Sequence, residues 1–434
     1  MRKDKNQTKN DIEWGKIFKE YKILEEIEKN GIFEITADEI KRYREPRLMT
    51  KFDHKVNLPD IFSENKLSIL PITRGSYVIS DFKNYHNLEM GNEKVEYVEI
   101  PAHIQSIDAS NIFSETVAIN CAYFTNILRD FLEEDQLYPT IEGRMGSGAF
   151  NFQIEGLKNE NFKTVKIKNS QIEIDGAYEG IESIALIEAK RDLSKDFLIR
   201  QLYYPFRLCK ENKNITKRVR SIFLVYSNGL FTLYEYEFLE WNNYNSLKLV
   251  KKKNYSIEEK NIEMMDIKNI LYKKVEIVKE SVDVSFPQAN DFLRIINMCE
   301  LLVEKSLSRD EITIEYAFDI RQTNYYTDAG IYLGLIEKKK DERGILYSLT
   351  SCGEKIMKLS YKKRQLAFCS LILSHKVFND ALKSFLKKSD INIKEIVEIM
   401  KKANLNRIGT ERTYARRAST IKAWLEWIIK LTKK

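Results

Sequence analysis

The sequence predicts an α/β (α+β) protein built around a mixed sheet. Apolar residues recur at helical spacing over residues 115–135 and then alternate with a period of two through residues 150–190. A helical segment at residues 194–212 and a hairpin signal at Asn228-Gly229 follow. This order of helix, strands, helix and strands implies helices packed on the faces of one sheet. The 434 residues are also enough for several domains.

The composition indicates a soluble chain. Hydrophobic residues make up 43% and charged residues of both signs 31%, as in globular proteins. No apolar run approaches the roughly 20 residues that a membrane helix needs. The opening residues, MRKDKNQTKN, lack the apolar stretch of a secretory signal. We therefore expect a cytoplasmic protein that does not associate with membranes.

The cysteines and histidines have no spacing typical of a disulfide framework or a zinc site. The five cysteines are odd in number and include no C-x-x-C pair, and the four histidines form no H-E-x-x-H motif. For the histidines we expect surface or satisfied core positions rather than metal binding. The residues are Cys121, Cys209, Cys299, Cys352, Cys369, His54, His86, His103 and His375.

The net charge of +7 is unevenly distributed. Residues 361–434 carry 18 Lys and Arg against 6 Asp and Glu, a surplus of +12, so the first 360 residues sum to −5. A basic segment attached to an acidic remainder indicates that one end meets a polyanion. A solvated, lysine-rich surface is the alternative explanation.

The first predicted domain covers residues 1–112. Residues 12–41 are predicted to be helical, because Trp14, Ile17, Phe18, Tyr21 and Leu24 follow helical spacing. An irregular stretch with three prolines comes next and predicts loops and short strands.

The second predicted domain covers residues 113–245. After the helix at 115–135, the segments FNFQI, QIEID and ALIEAK are predicted strands. A helix from Ser194 to Asn212 and the hairpin at Asn228-Gly229 complete it.

Three further regions complete the chain. Residues 246–285 are predicted to be a connecting segment with some helix. Residues 286–360 show three helical patterns and then an alternating segment that turns at Gly344, an order that predicts a winged helix-turn-helix. Residues 361–434 are predicted to form a basic helical domain with helices at about 393–403 and 410–431.

The residues with chemical potential are Asp175, Glu188 and Lys190. Residues two apart on a strand share a face, so Glu188 and Lys190 project together. If their strand forms a hairpin with QIEID, whose last residue is Asp175, the two carboxylates lie side by side. Two carboxylates at the end of a sheet suit Mg²⁺, and a neighbouring lysine could hold an attacking water or a phosphate oxygen. The arrangement predicts phosphodiester hydrolysis; surface ion pairs at the sheet end are the alternative.

The segments IDGAYEG and LIEAK together resemble the signature of the PD-(D/E)xK nuclease superfamily. The order helix, three strands, helix, strand also resembles its core, and RQLYYPFR followed by FLVYSNG is similar to a group of bacterial type II restriction endonucleases. The resemblance covers roughly residues 120–240. It implies that Asp175 and Glu188 bind Mg²⁺, with Mn²⁺ able to substitute, and that Lys190 orients or activates the nucleophilic water. The proline of the signature is replaced by Ile174.

The resemblance also suggests two further site residues. Glu142, in the predicted loop IEGRMGSGAF, is our choice for an additional upstream acid over Glu133 and Glu134. In the same loop Arg144 and Ser147 are candidate phosphate contacts, although an ordinary flexible turn explains the sequence equally well. Gln201 resembles a glutamine that some relatives place on the following helix. Packing roles are as plausible for the adjacent Tyr203 and Tyr204.

Three segments are candidate DNA-binding surfaces. An exposed helix start can present Arg, Gln and Asn to base edges in the major groove, although winged helices also serve as dimerisation or protein-contact modules. Arginines on the final helix are suited to phosphates. The REPRLMTKFDH run is either a third surface or a structural loop. The candidates are Arg321, Gln322, Asn324 and Tyr325; Arg412, Arg416 and Arg417; and Arg44, Arg47 and Lys51.

These observations predict a type II restriction endonuclease that cuts double-stranded DNA at a short sequence. A homodimer is expected where that sequence is symmetric, with a cognate DNA methyltransferase as the genetic partner. One alternative is a winged-helix regulator with an inert nuclease-like sheet. Another is a repair nuclease that recognises DNA structure rather than sequence.

Overall fold

The structure is a computed structural model. It describes residues 7–89, 94–108, 112, 114–158, 161–257, 262–280, 284–315, 320–341, 344–388, 390, 392–403, 405 and 410–432. Among these residues no helix is both long and apolar enough to cross a membrane.

The N-terminal region packs five short helices against a three-stranded antiparallel sheet of order β1-β3-β2. Its core includes Trp14, whose indole N–H donates to the Met49 carbonyl at 2.9 Å. The elements are α1 (Lys9–Glu20), α2 (Ile23–Asn30), β1 (Phe33–Thr36), α3 (Ala37–Lys41), α4 (Pro46–Thr50), α5 (Asp60–Glu64), β2 (Ser68–Pro71) and β3 (Ser76–Ser80).

The prediction that residues 12–41 are helical holds for α1, α2 and α3 but is wrong for β1 and for two breaks before it. Lys22 and Gly31 have positive φ angles of 48° and 77°, and both interrupt the helical path. Gly31 tolerates this conformation because it has no Cβ, and it caps α2. The apolar spacing continues across these breaks because α1, α2 and α3 each turn an apolar side to the same core.

The central region forms a seven-stranded mixed sheet of order β5-β14-β13-β12-β10-β9-β6. The pairs β10–β12 and β14–β5 are parallel, and the others are antiparallel. The elements are β4 (Tyr85–Asn87), β5 (Val95–Tyr97), α6 (Glu115–Phe124), α7 (Ile127–Leu132), β6 (Tyr138–Gly146), β7 (Phe150–Glu155), β8 (Phe162–Ile167), β9 (Gln171–Glu179), β10 (Ser183–Lys190), β11 (Asp196–Leu198), α8 (Arg200–Glu211), β12 (Arg218–Ser227), β13 (Leu230–Phe238) and β14 (Leu247–Ser256).

The predicted mixed α+β architecture is confirmed. Helices α6 and α7 cover one face of the sheet around Ala185, Ile187 and Ala189. Helix α8 covers the other face around Leu186. The predicted hairpin is also confirmed: β12 and β13 turn at Asn228-Gly229, which have φ angles of 50° and 69°.

Several details of the central region differ from the sequence prediction. FNFQI is a strand, but it pairs with β8 in a separate two-stranded hairpin. The predicted helix at 115–135 is interrupted at Asn126, where φ is 60°, and ends at Leu132. The helix predicted from Ser194 begins at Arg200, since residues 196–198 pair with β4 instead.

The segment predicted to connect two domains begins with β14, a strand of the main sheet. Because β14 is rich in lysine, its sequence does not have the pattern of a sheet strand. Two of these lysines form ion pairs with residues distant in sequence: Lys251 with Glu133 at 2.6 Å and Lys253 with Asp130 at 2.9 Å. These pairs make a lysine-rich strand compatible with a sheet.

The C-terminal region is mostly helical. Helices α10, α11 and α12 lead to the hairpin β16–β17, and the short strand β15 pairs with β17. In the part of residues 361–434 that the structure describes there are four helices rather than the predicted two, and the predicted joint at Gly409 lies outside that part. The elements are α9 (Met264–Asn269), a π-helical turn (Ile270–Lys274), α10 (Phe292–Leu302), β15 (Leu307–Ser308), α11 (Arg309–Glu315), α12 (Ile320–Tyr332), β16 (Ile336–Asp341), β17 (Gly344–Leu349), α13 (Ser351–Met357), α14 (Tyr361–Ser374), α15 (Lys376–Lys388), α16 (Ile393–Lys402) and α17 (Glu411–Lys430).

Candidate active site

The candidate site lies where β9 separates from β10. The two strands pair antiparallel from Glu179↔Ile184 to Gly176↔Ile187, and the pairing stops there. Asp175 and Glu188 are the next residues on the two strands. Beyond this point β10 continues along β12 as far as Lys190, whereas β9 pairs only with β6. Asp175 therefore marks the end of this pairing, although its own strand runs on in both directions and does not end there as predicted.

The Asp175 side chain replaces a missing strand contact. Its Oδ2 accepts a hydrogen bond from the backbone N–H of Ala189 at 2.9 Å. An N–H group on a strand edge needs an acceptor once the neighbouring strand has left. This bond fixes the carboxylate of Asp175 directly beside the strand that carries Glu188 and Lys190.

Glu188 is the centre of a buried polar cluster. It is 7% exposed, and its Oε1 accepts hydrogen bonds from Lys190 Nζ at 2.5 Å and from Gln201 Nε2 at 2.7 Å. Glu188 and Lys190 share the face of β10 that carries Leu186, which packs toward α8. The structure therefore brings together four of the predicted catalytic residues: Asp175, Glu188, Lys190 and Gln201.

Close packing of acids perturbs the ionisation of this cluster. Burial raises the pKa of Glu188 to about 8, with Asp175 adding to the rise and Lys190 opposing it. Burial lowers the pKa of the Lys190 ammonium, but the nearby carboxylates, Glu188 first, outweigh it and raise that pKa well above its ordinary value. The cluster thus contains a protonated lysine beside carboxyl groups that would repel one another once ionised. A bound cation would relieve that repulsion.

Glu115 is a site residue that the sequence analysis missed. It is the first residue of α6, and its Oε1 lies 3.9 Å from Lys190 Nζ. Burial raises the pKa of Glu115, Lys190 lowers it, and the Asp175 carboxylate raises it again. The sequence carried one signal, a serine directly before Glu115. In the structure the Ser114 hydroxyl caps α6 by accepting a hydrogen bond from the Val117 N–H at 3.1 Å, so Glu115 is the first residue of the helix.

Glu142 is placed differently from its prediction. It lies within strand β6, not in a flexible loop, and it is exposed. It lines a cleft together with Asp175, Thr116 and Asn120, so it reaches the site from the side of α6. The alternatives have structural roles, because Glu134 accepts from Ser183 Oγ at 2.7 Å and Glu133 pairs with Lys251.

The two candidate phosphate contacts near Glu142 also have internal partners. Ser147 is 1% exposed, and its Oγ accepts from Ser170 N at 2.9 Å and donates to the Gly148 carbonyl. The Ser147 hydroxyl is therefore engaged within the chain, and its contact with a phosphate stays a prediction. Arg144 is exposed and pairs with Glu173 at 3.1 Å.

The N-terminal region reaches the site through residues 51–54. Lys51 is exposed, forms an ion pair with Asp53 at 3.5 Å, and is close enough to Glu115 to lower its pKa. His54 is buried, and its Nε2 lies 2.8 Å from Asp192 Oδ2. The buried Asp192 follows Lys190 by two residues, and the sequence analysis assigned it no role.

Arg44 and Arg47, the other candidates in the REPRLMTKFDH segment, precede Lys51 in the sequence. Arg44 donates to Asn10 Oδ1 at 2.7 Å, which ties it to α1, and Arg47 is exposed on α4. Of this candidate DNA surface, therefore, Lys51 is the residue that the structure associates with the acidic cluster.

The C-terminal candidates for DNA binding belong to two neighbouring helices. Arg321 is exposed on α12, where Gln322, Asn324 and Tyr325 are partly exposed. On α17, Arg412 and Arg416 are exposed. Arg417 is half-buried; burial lowers the pKa of its guanidinium, whereas Tyr325 and Asp328 of α12 raise it. Arg417 is therefore close to Tyr325 and Asp328 of α12.

The oxygen atoms around Glu188 are those that a Mg²⁺ ion binds. Within the described part of the chain no group of three or more Asp, Glu, His or Cys side chains is arranged to hold a metal ion. Two carboxylates suffice for Mg²⁺ when water and substrate phosphates complete its shell. Asp175 and Glu188 provide them, and the buried Oε1 of Gln201, which has no hydrogen-bond partner among the described residues, is a third oxygen. The residues present therefore fit this ion.

Three segments of the chain match protein-family models, each described as a domain of unknown function. Residues 11–79 match DUF6996, residues 80–256 match DUF6997 and residues 294–433 match DUF7226. No curated protein and no solved structure matches the chain significantly. The cluster around Glu188 lies in the second segment, whereas Lys51 and His54 come from the first.

Proposed function

We propose that this protein is a Mg²⁺-dependent DNA endonuclease of the PD-(D/E)xK type, acting as a type II restriction enzyme. The observation that carries the proposal is the convergence of Asp175, Glu188 and Lys190 at the point where β9 leaves β10. In an ordinary sheet-end ion pair the charges are solvated, whereas here Glu188 is 7% exposed. Burying a repelling set of charges is costly, so a catalytic role explains the cluster better than a structural one.

The order of elements supports the same assignment. Helix α6 precedes β6, β9 and β10, and α8 then leads to β12, which lies parallel to β10. Helix, three antiparallel strands, helix and parallel strand is the order of the superfamily core. The hairpin β7–β8 is an insertion between the first two of these core strands.

The residues of the site have complementary roles in phosphodiester hydrolysis. Asp175 and Glu188 would hold Mg²⁺, which when bound supplies positive charge that offsets the charge building on the phosphate. Lys190 remains protonated and donates to a phosphate oxygen or to the attacking water. Gln201 orients Glu188 through their 2.7 Å hydrogen bond. Both donors bind Oε1 of Glu188, so Oε2 is the oxygen that would bind the metal ion.

The C-terminal region supports DNA as the substrate. Helices α10, α11 and α12 followed by β16–β17 have the order of a winged helix-turn-helix, in which α12 occupies the position of the recognition helix. Residues 361–434 add the surplus of +12 charges, and Arg416 is exposed on α17. A protein that reads a symmetric sequence would act as a homodimer, with a DNA methyltransferase protecting the host sites.

The test is digestion of supercoiled plasmid DNA by the full-length protein in Mg²⁺, in Mn²⁺ and in excess chelator. We expect discrete fragments with either metal ion and none with chelator. Glu188→Gln should abolish cutting. Glu237→Gln, which neutralises an exposed acid on β13 of the same sheet, should leave it unchanged.

The pattern of products separates the candidate functions. Discrete bands support a sequence-specific enzyme, whereas a smear would favour a nuclease that recognises DNA structure. Absence of cleavage of plasmids and of unmethylated genomic DNA, together with retained DNA binding, would overturn the nuclease assignment and favour a DNA-binding regulator. Sequencing the ends of the fragments would then give the recognition site.

A further inference from the structure

The three residues after the active-site lysine are held by a helix of the C-terminal region. The side chain of Asn297, on α10, donates from Nδ2 to the Arg191 carbonyl at 2.6 Å and accepts at Oδ1 from Leu193 N at 3.3 Å. Strand β10 ends at Lys190, so the amide of Asn297 continues the backbone pairing that the sheet no longer provides. Asn297 is 5% exposed, and water therefore does not compete for these bonds.

The same face of α10 also holds the adjoining strand. Glu300 accepts from Ser227 Oγ at 2.9 Å and from Asn228 N at 2.8 Å, at the turn between β12 and β13. Glu304, seven residues after Asn297, forms an ion pair with Arg191. Asn297 and Glu300 are three residues apart and lie on one side of α10, which faces the catalytic sheet, whereas Glu304 follows the end of this helix at Leu302.

The N-terminal region holds the same segment from another side. His54 contacts Asp192 Oδ2 through Nε2 at 2.8 Å and the Asp196 carbonyl through Nδ1 at 2.7 Å. Both His54 and Asp192 are buried, at 3% and 6% exposure. Residues 191–193 are thus fixed by His54 from the N-terminal region and by Asn297 and Glu304 from the C-terminal region.

We propose that Asn297 is a positioning residue that fixes the segment 191–193 and, through it, the ammonium of Lys190 against Glu188. His54 is the matching anchor on the opposite side. This inference rests on the proposed nuclease function. It explains how side chains from the two flanking regions position the active site. Catalytic groups must be held within a fraction of an ångström, and a displacement of about 1 Å can cost roughly 100-fold in rate.

The decisive variant is Asn297→Asp, which keeps the shape of the side chain. It loses the donor to the Arg191 carbonyl and places a carboxylate beside that oxygen and beside Glu300. The matched control is Asn379→Asp: Asn379 is a buried asparagine of the same region, whose Nδ2 donates to the Leu373 carbonyl at 2.9 Å within the helical bundle. Asn297→Ala removes both hydrogen bonds without adding charge, and it replaces the aspartate variant in the test if that variant does not fold.

Two measurements on the full-length proteins test the proposal. In single-turnover cleavage at saturating Mg²⁺, we expect Asn297→Asp to lower the rate at least tenfold while the Kd for DNA changes less than twofold. In amide hydrogen exchange without DNA or metal, residues 189–193 should exchange at least tenfold faster. Asn379→Asp should change neither quantity.

The two readouts separate this proposal from the proposed function. Unchanged exchange at residues 189–193 in both Asn297 variants overturns the positioning role, whatever the activity. Faster exchange with an unchanged cleavage rate also overturns it, because the segment is then mobile without affecting Lys190. If the unmodified protein cleaves no DNA, the proposed function fails, and hydrogen exchange alone decides whether Asn297 holds the segment.

Discussion

Gln201 Nε2 lies 2.7 Å from Glu188 Oε1, the same oxygen that accepts a hydrogen bond from Lys190. This contact joins α8 to β10 at the centre of the candidate site. The other end of the Gln201 amide, Oε1, is buried without a hydrogen-bond partner among the described residues. An unsatisfied buried acceptor costs about 1–3 kcal/mol, which indicates that another group completes this environment in the working protein.

Gln201→Ala should weaken the response to Mg²⁺. Glu188 would lose the donor that orients it, and losing such a second contact typically costs about 10- to 100-fold in metal affinity or activity. The measurement is cleavage rate as a function of Mg²⁺ concentration. Gln171→Ala, an exposed glutamine at the start of β9, is the control and should behave as the unmodified protein. Identical Mg²⁺ curves for the two variants would exclude Gln201 from the site.

Lys190→Ala should abolish cleavage while DNA binding stays nearly unchanged. The lysine is 15% exposed and contacts Glu188, so its removal affects the cluster more than the DNA-facing surface. Cleavage is followed on plasmid DNA, and binding by fluorescence anisotropy with Ca²⁺ in place of Mg²⁺. Retained cleavage would remove Lys190 from the mechanism. Lost binding would instead indicate a role in holding the DNA.

The site residues that could be predicted are those whose pattern is local. Glu188 and Lys190 are two residues apart on one strand, and Asp175 lies on the adjacent strand of the same hairpin, so period-two spacing and a short connection suffice. Glu115 and His54 were missed because their proximity depends on packing. His54 meets Asp192 across 138 residues of sequence, and no local pattern encodes that contact.

The strands that escaped prediction have unfavourable compositions. Strand β6 contains Pro139, Gly143 and Gly146, which are typical of loops, but it lies at the sheet edge and has two register shifts. Gly143 adopts a φ of 99°, which only glycine tolerates easily. Strand β14 is lysine-rich, and its ion pairs are formed with residues distant in sequence. Composition alone could not have predicted either strand.

Arg416→Ala should weaken DNA binding equally for all sequences. If the exposed Arg416 contacts a phosphate, its loss reduces the number of released counterions. The slope of log Kd against log salt concentration should then fall by about one. Lys29→Ala, which removes an exposed charge from α2, provides the control for net charge. An unchanged salt slope in Arg416→Ala would place the DNA on another surface.

Arg220→Met should strongly destabilise the central sheet. Arg220 donates to both carboxylate oxygens of Glu235 at 2.8 and 2.5 Å, and both residues are buried. Removing one partner leaves a buried, uncompensated carboxylate, at a cost of about 3–5 kcal/mol. The measurement is urea unfolding followed by tryptophan fluorescence.

Arg218→Met is the control for this change. Arg218 is 54% exposed and contacts the same Glu235 at 3.4 Å. An exposed pair contributes about 0–1 kcal/mol, so its loss should have little effect on unfolding. Equal destabilisation by the two variants would mean that the buried ion pair contributes no more to the free energy of unfolding than the exposed one. The double variant Arg220→Met with Glu235→Met should recover part of the lost stability.

The ion pair between His54 and Asp192 should stabilise the protein more at pH 6 than at pH 9.5. Burial lowers the pKa of His54, but the carboxylate and hydrogen bonds of Asp192 and Asp196 outweigh it and raise that pKa to about 10. A raised pKa in the folded state gives stability that is complete below the unfolded value of about 6.5 and is lost as the pH rises toward 10. The loss between pH 6 and pH 9.5 should be roughly 4 kcal/mol.

His54→Gln tests this directly, because glutamine is uncharged at every pH. The melting temperature of the variant should lie well below that of the unmodified protein at pH 6, and the gap should narrow as the pH approaches 9.5. His103→Gln, at an exposed histidine, should show no such gap. A gap that stays constant with pH would mean that His54 is neutral in the folded protein. Its contact with Asp192 would then be a hydrogen bond made by a neutral imidazole, and no ion pair would join the N-terminal region to Asp192.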